Sequence, residues 1–97
     1  MHPYLPDEVL REICAFARAR ALEQVILFGS RAKGTHTERS DVDLAVSGGD
    51  TDGFYWDLKD AAHTLLTFDV VALDDMLSDD LKKEIDRDGV MLYEKTR

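Results

Sequence analysis

Val25-Ile26-Leu27-Phe28-Gly29-Ser30 and, after ten intervening residues, Asp41-Val42-Asp43-Leu44-Ala45-Val46 decide how this chain is read. The first is a short unbroken apolar run that stops at Gly-Ser, the pattern of a strand buried on both faces. The second alternates polar and apolar residues with a period of two and ends at Gly48-Gly49, so it reads as a strand with one face on a core. Residues two apart on a strand share a face. The Asp41 and Asp43 carboxylates therefore project together, while Val42, Leu44 and Val46 turn inward. The stretch between the strands, Gly29 to Ser40, is polar, contains two glycines and reads as a loop.

Outward from this pair, helices and strands alternate. Pro6-Asp7 opens a helix whose Val9, Leu10, Ile13, Cys14 and Ala17 recur on one face. Thr51 is placed to cap a second helix, with Phe54, Leu58, Ala61, Ala62 and Leu65 on one side. Tyr55 and Trp56 fall off that stripe and are expected to meet something outside the domain. Phe68 to Leu73 reads as a third strand. Ser78 to Asp88 reads as a third helix with Leu77, Leu81 and Ile85 inward, and Gly89 suits the position just past its end. Val90 to Tyr93 closes the chain as a strand. This order describes an α/β (α+β) chain with a small sheet covered mainly on one face by helices.

The chain has 97 residues, 44% hydrophobic and 33% charged, which fits a single folded domain spanning 1–97. Twelve Lys and Arg against 20 Asp and Glu give a formal charge of −8. That balance argues against a tightly held nucleic acid, since phosphate backbones need fields of Lys and Arg. It suits a basic protein partner or a site for divalent cations. Cys14 is the sole cysteine, so it is expected buried against the sheet, with no disulfide and no ligand. The first residues lack a signal-peptide pattern and no apolar run reaches about 20 residues, so a cytoplasmic protein without a membrane span is expected.

Three features carry chemistry. In Gly29-Ser30-Arg31-Ala32-Lys33-Gly34, glycine allows a sharp turn and close backbone approach, while amides and the Ser30 hydroxyl can face phosphate oxygens. The bland alternative is a turn that merely ends a strand. Asp41 and Asp43 would repel each other unless a cation lies between them, and hard oxygen donors suit Mg²⁺. Asp-x-Asp also occurs at Asp50-Thr51-Asp52 and Asp86-Arg87-Asp88, where it looks like solvated caps, so context selects the strand pair. Asp69 stands in the apolar run Phe68-Asp69-Val70-Val71-Ala72, where it either joins Asp41 and Asp43 or faces water from an edge strand. The histidines His2, His36 and His63 lack metal-ligand spacing, and His36 reads as a solvated loop residue.

Together these residues resemble the nucleotidyltransferase superfamily typified by DNA polymerase β, and its minimal nucleotidyltransferase (MNT) branch. The match consists of Leu27-Phe28-Gly29-Ser30, the ten-residue spacing to Asp41-Val42-Asp43, a later acidic strand residue, and the closing Asp88-Gly89-Val90-Met91-Leu92-Tyr93-Glu94. The resemblance implies a polymerase beta-like palm fold: a small mixed sheet of about four strands. It implies that Gly29, Ser30 and Arg31 bind a nucleoside triphosphate, ATP as donor. Asp41, Asp43 and Asp69 would be the catalytic residues and the ligands of a two-metal Mg²⁺ site. It further implies an antitoxin paired in a hetero-oligomer with a helical HEPN-family ribonuclease toxin, whose tyrosine hydroxyl would receive AMP. The sequence leaves open a non-catalytic module of the same fold that blocks its partner by covering it. A small-molecule-modifying transferase is the third reading, disfavoured because no residues supply an acceptor pocket.

Overall fold

The computed structural model describes residues 5–37, 40–62 and 64–95. His2 and His63 lie outside the described residues. The elements run α1 (Asp7–Ala19), β1 (Gln24–Phe28), α2 (Gly29–Lys33), β2 (Val42–Ser47), α3 (Thr51–Ala61), β3 (Phe68–Ala72), α4 (Asp79–Asp88) and β4 (Val90–Glu94). The strands form one mixed sheet in the order β3-β2-β1-β4. β1 is antiparallel to both β2 and β4, whereas β2 and β3 are parallel. Parallel neighbours need a crossover, and α3 supplies it.

Strand alternation divides the interior in two. Val25 and Leu27 of β1 and Val42, Leu44 and Val46 of β2 join Val9, Ile13 and Ala17 of α1 and Phe54 and Leu58 of α3 in the larger core. On the opposite face Phe28, Ala45 and Ile85 form a smaller cluster, flanked by Ile26, Val71, Leu73, Leu77 and Leu81. Thus α1 and α3 cover one face and α4 crosses the other. Asp43, between Val42 and Leu44, belongs to the α4 side. Arg20, just past α1, ties the helices of the larger layer together. Its Nε and one terminal nitrogen donate to the Asp57 carboxylate at 2.8 and 2.9 Å, and the other reaches Asp50 at 3.1 Å. No helix among the described residues is long and apolar enough to cross a membrane.

The structure departs from the sequence reading at five points. The stretch after β1 is not all loop, because Gly29–Lys33 winds into α2. The cap of α3 is Asp50, whose side chain accepts from the Gly53 amide at 2.9 Å, rather than Thr51. That helix stops at Ala61, so Leu65 never joins its inner face and stands fully exposed. Cys14 is half-buried, not buried, and its thiol donates to the Leu92 carbonyl at 3.5 Å. Gly89 takes φ −61°, not a left-handed conformation; a side chain there would strike the Ile85 carbonyl and Ile26.

The end of α3 gives a direct check. Phe54→Ala, which empties a fully buried site, should cost about 3–5 kcal/mol in urea unfolding. Leu65→Ala should change stability by no more than about 0.5 kcal/mol. Equal losses would mean that the helix continues past Ala61 after all.

Candidate active site

Two strand pairings place the carboxylates. In the antiparallel β1–β2 register Phe28 stands opposite Asp43, and in the parallel β2–β3 register Asp69 stands beside Asp43. The chain leaves β1 at Gly29, immediately next to Asp43. Gly29 has φ +75°, and a Cβ built on it would overlap the Asp43 carboxylate. Glycine is required there on two counts: the left-handed turn and the absence of any room for a side chain. Asp43 and Asp69 are register partners on neighbouring strands, and the Asp69 carboxylate acts on that of Asp43. Asp69 is exposed on β3, which stands at the edge of the sheet, with no strand paired beyond it among the described residues. Asp41 lies one residue before β2, exposed, and acts on Asp43 through its charge.

Asp43 is half-buried, and its carboxyl is pushed up to about 6 from the ordinary 3.8. Burial is the largest cause, followed by the negative charges of Asp69, Asp41 and Glu84. Glu84 is the site residue that sequence reasoning missed. It precedes Ile85 on the inner stripe of α4, and only the docking of that helix on the Asp43 face brings it near. Its carboxylate pairs with Lys33 Nζ at 3.0 Å, linking α4 to α2. Among the described residues, no three Asp, Glu, His or Cys side chains converge as a ready-formed metal-holding group. Asp43 and Asp69 form the central pair, and Asp41 and Glu84 surround it electrostatically.

The turn residues separate by direction. Ser30 is half-buried at the head of α2, and its carbonyl accepts from the Thr35 amide at 3.0 Å. Arg31 points inward instead. Only 3% exposed, it donates from Nε to the Ser40 carbonyl at 3.0 Å, so it braces the loop that delivers Asp41. His36 is half-buried in that loop, where the sequence suggested full solvation. A cleft of about 330 Å³ opens beside Asp69, lined by Tyr55, Leu58, Lys59, Thr67 and Phe68. Lys59 Nζ stands 5.2 Å from the centre of the exposed Trp56 ring and 5.9 Å from that of Tyr55.

The raised Asp43 pKa makes stability depend on pH. The folded state binds this proton up to about pH 6 and the unfolded chain only to about 3.8, so the contribution is complete below pH 3.8 and lost as pH rises through 6. Replacing Asp43 by Asn removes the loss. Measured without divalent cations, D43N should gain roughly 1 kcal/mol over the wild type on going from pH 4 to pH 7.5, a figure already reduced for solvent screening of a half-exposed group. A constant difference across that range would show that Asp43 titrates normally.

Comparison with known proteins agrees with this arrangement. The family model described as "Polymerase beta, Nucleotidyltransferase" matches residues 11–97. Among solved structures, a toxin-antitoxin crystallised with AMP-PNP superposes with a TM-score of 0.71 at 29% identity, over 93% of this chain and 75% of that one. The toxin-antitoxin MntA-HpeT, in a variant with two aspartates two positions apart changed to glutamate, gives 0.69 at 27% identity, over 89% and 73% of the two chains. A tyrosine-to-alanine variant of MntA-HpeT gives 0.67 at 27% identity, over 88% and 72%. No protein of curated function matches the sequence. The family match takes in the Gly29-Ser30 turn and both aspartate-bearing strands, within a four-stranded mixed sheet whose register brings them together: the chain belongs to the polymerase beta nucleotidyltransferase family.

Proposed function

We propose that this chain is a single-domain MNT antitoxin that transfers AMP from ATP to a hydroxyl, a tyrosine hydroxyl foremost, on a HEPN-family ribonuclease toxin, breaking the bond between the α- and β-phosphates and releasing pyrophosphate. The observation that carries the reading is the pairing of Asp43 with Asp69 across β2 and β3 beside the Gly29 turn, with Asp41 one residue before the same strand. Support comes from the toxin-antitoxin crystallised with AMP-PNP and from the MntA-HpeT variants at an aspartate pair and at a tyrosine. The formal charge of −8 favours a protein acceptor over a nucleic-acid strand.

The donor set fits Mg²⁺. Asp43 and Asp69 are hard oxygen ligands already paired on neighbouring strands, and the negative charge that raises Asp43 is what a divalent cation would neutralise. Asp41, Asp43 and Asp69 would hold the metal, and Mg²⁺ when bound would neutralise phosphate charge and polarise the reacting phosphorus. The remaining tasks fall to the chain itself. The Gly29 backbone and Ser30 hydroxyl would hold the triphosphate, and Arg31 would act indirectly, by fixing the loop that carries Asp41. Asp69, exposed at the sheet edge and lining the cleft with Tyr55 and Lys59, would accept the proton of an incoming hydroxyl. Holding acceptor, phosphate and carboxylates in one geometry would supply much of the rate.

Catalysis and occlusion make opposite predictions for one variant. Incubated with ATP and Mg²⁺, the wild-type chain should raise the mass of its co-purifying toxin by one AMP unit. D41N/D43N should slow that transfer by at least about 100-fold, the scale for losing charge stabilisation in a transition state, while still binding the toxin. Growth rescue should fail with it. Full rescue by the double variant, with no AMP on the toxin in the wild type, would leave a module that neutralises by covering its partner.

A further inference from the structure

The nucleotide site holds one further ion pair whose position has a functional consequence. Lys33 closes α2, three residues after Ser30, and the following Gly34 turns left-handed at φ +79°. Its Nζ lies 3.0 Å from Glu84 Oε1, with both side chains about one-third exposed. Glu84 is also among the charges that act on Asp43, so the pair sits at the edge of the carboxylate cluster rather than on a remote surface. Arg31, the other cation of the turn, is committed to the loop backbone. Lys33 is therefore the turn's accessible positive charge, and in this structure an acidic side chain of α4 holds it.

We propose that Glu84 is a latch on Lys33: the nucleoside triphosphate competes with Glu84 for the Lys33 ammonium, so that Lys33 positions the phosphates and Glu84 sets how tightly the nucleotide is held. The proposal rests on the nucleotidyltransferase reading above and adds to it a residue, Glu84, that tunes affinity by competing for Lys33. The physical basis is a shared cation. A compact ammonium on a flexible stem can exchange a half-exposed carboxylate for a polyphosphate. The Glu84 carboxylate, left among three aspartates, would be repelled by the same polyanion.

A double-mutant cycle on ATP affinity, measured by calorimetry with excess Mg²⁺, tests it. E84Q should tighten ATP binding by about two- to fivefold, the yield of freeing one partner of a half-exposed ion pair. K33M should weaken binding, and E84Q should tighten it clearly less in the K33M background than in the wild type, because no lysine remains to be released and only the repulsion between Glu84 and phosphate is relieved. An equal gain from E84Q with and without Lys33 would overturn the latch and leave plain repulsion between Glu84 and phosphate. Unchanged affinity in K33M would overturn the phosphate contact. Thermal melts of each variant, together with K33R, which keeps the charge and should retain most of the affinity, separate these effects from misfolding. Failure of the wild type to bind ATP at all would sink the nucleotidyltransferase reading and the latch with it. ATP binding without coupling between the two positions would sink only the latch.

Discussion

The site depends on a steric constraint between a backbone and a carboxylate. At the end of β1 the chain must turn left-handed while passing so close to Asp43 that no Cβ fits between them. Only glycine meets both demands. The constraint propagates outward: the β1–β2 register must set Phe28 opposite Asp43, and the β2–β3 register must set Asp69 beside it. A slip of one residue in either pairing would send these carboxylates to the apolar face under α1 and α3. The tightly buried larger core therefore does more than stabilise the domain, since it fixes the register on which the site is built.

The site is also a concentration of like charge that the fold tolerates at a cost. Asp43 is half-buried among Asp69, Asp41 and Glu84, with Lys33 as the nearby counter-charge paired to Glu84. Such an arrangement is unfavourable for folding alone and favourable for a ligand that brings compensating charge. The edge position of β3 contributes as well. Among the described residues no strand pairs beyond it, and Asp69 is open to solvent next to a cleft bounded by Tyr55 and Lys59.

Periodicity made the helices and strands legible because burial follows the repeat of each element. Val9, Ile13 and Ala17 on α1, and Val42, Leu44 and Val46 on β2, are buried as their spacing requires. The reading failed where local signals compete. Leu65 fits the helical stripe of Phe54 and Leu58, yet α3 ends before reaching it. Asp50 and Thr51 are both acceptable caps, and only the backbone geometry at the helix start favours the aspartate. The five residues of α2 are too few to show a period, and they hold their shape between the β1–β2 turn and α4.

The sequence by itself determined the chemistry available to this protein: a Gly-Ser turn after a buried strand, two aspartates two positions apart at the entry to the next strand, and a third in an apolar strand. These are short-range facts, carried by residue type and by the two-residue repeat of a strand. The tertiary structure decided which groups meet. Strand order put Asp69 against Asp43 and left Asp41 further out. The burial of Arg31 turned a cation that looked like a phosphate ligand into a brace for the loop before Asp41. The docking of α4 brought Glu84 to Lys33 across about fifty residues of chain. No local pattern encodes that meeting, because it depends on how a helix packed by Leu77, Leu81 and Ile85 lies across the sheet.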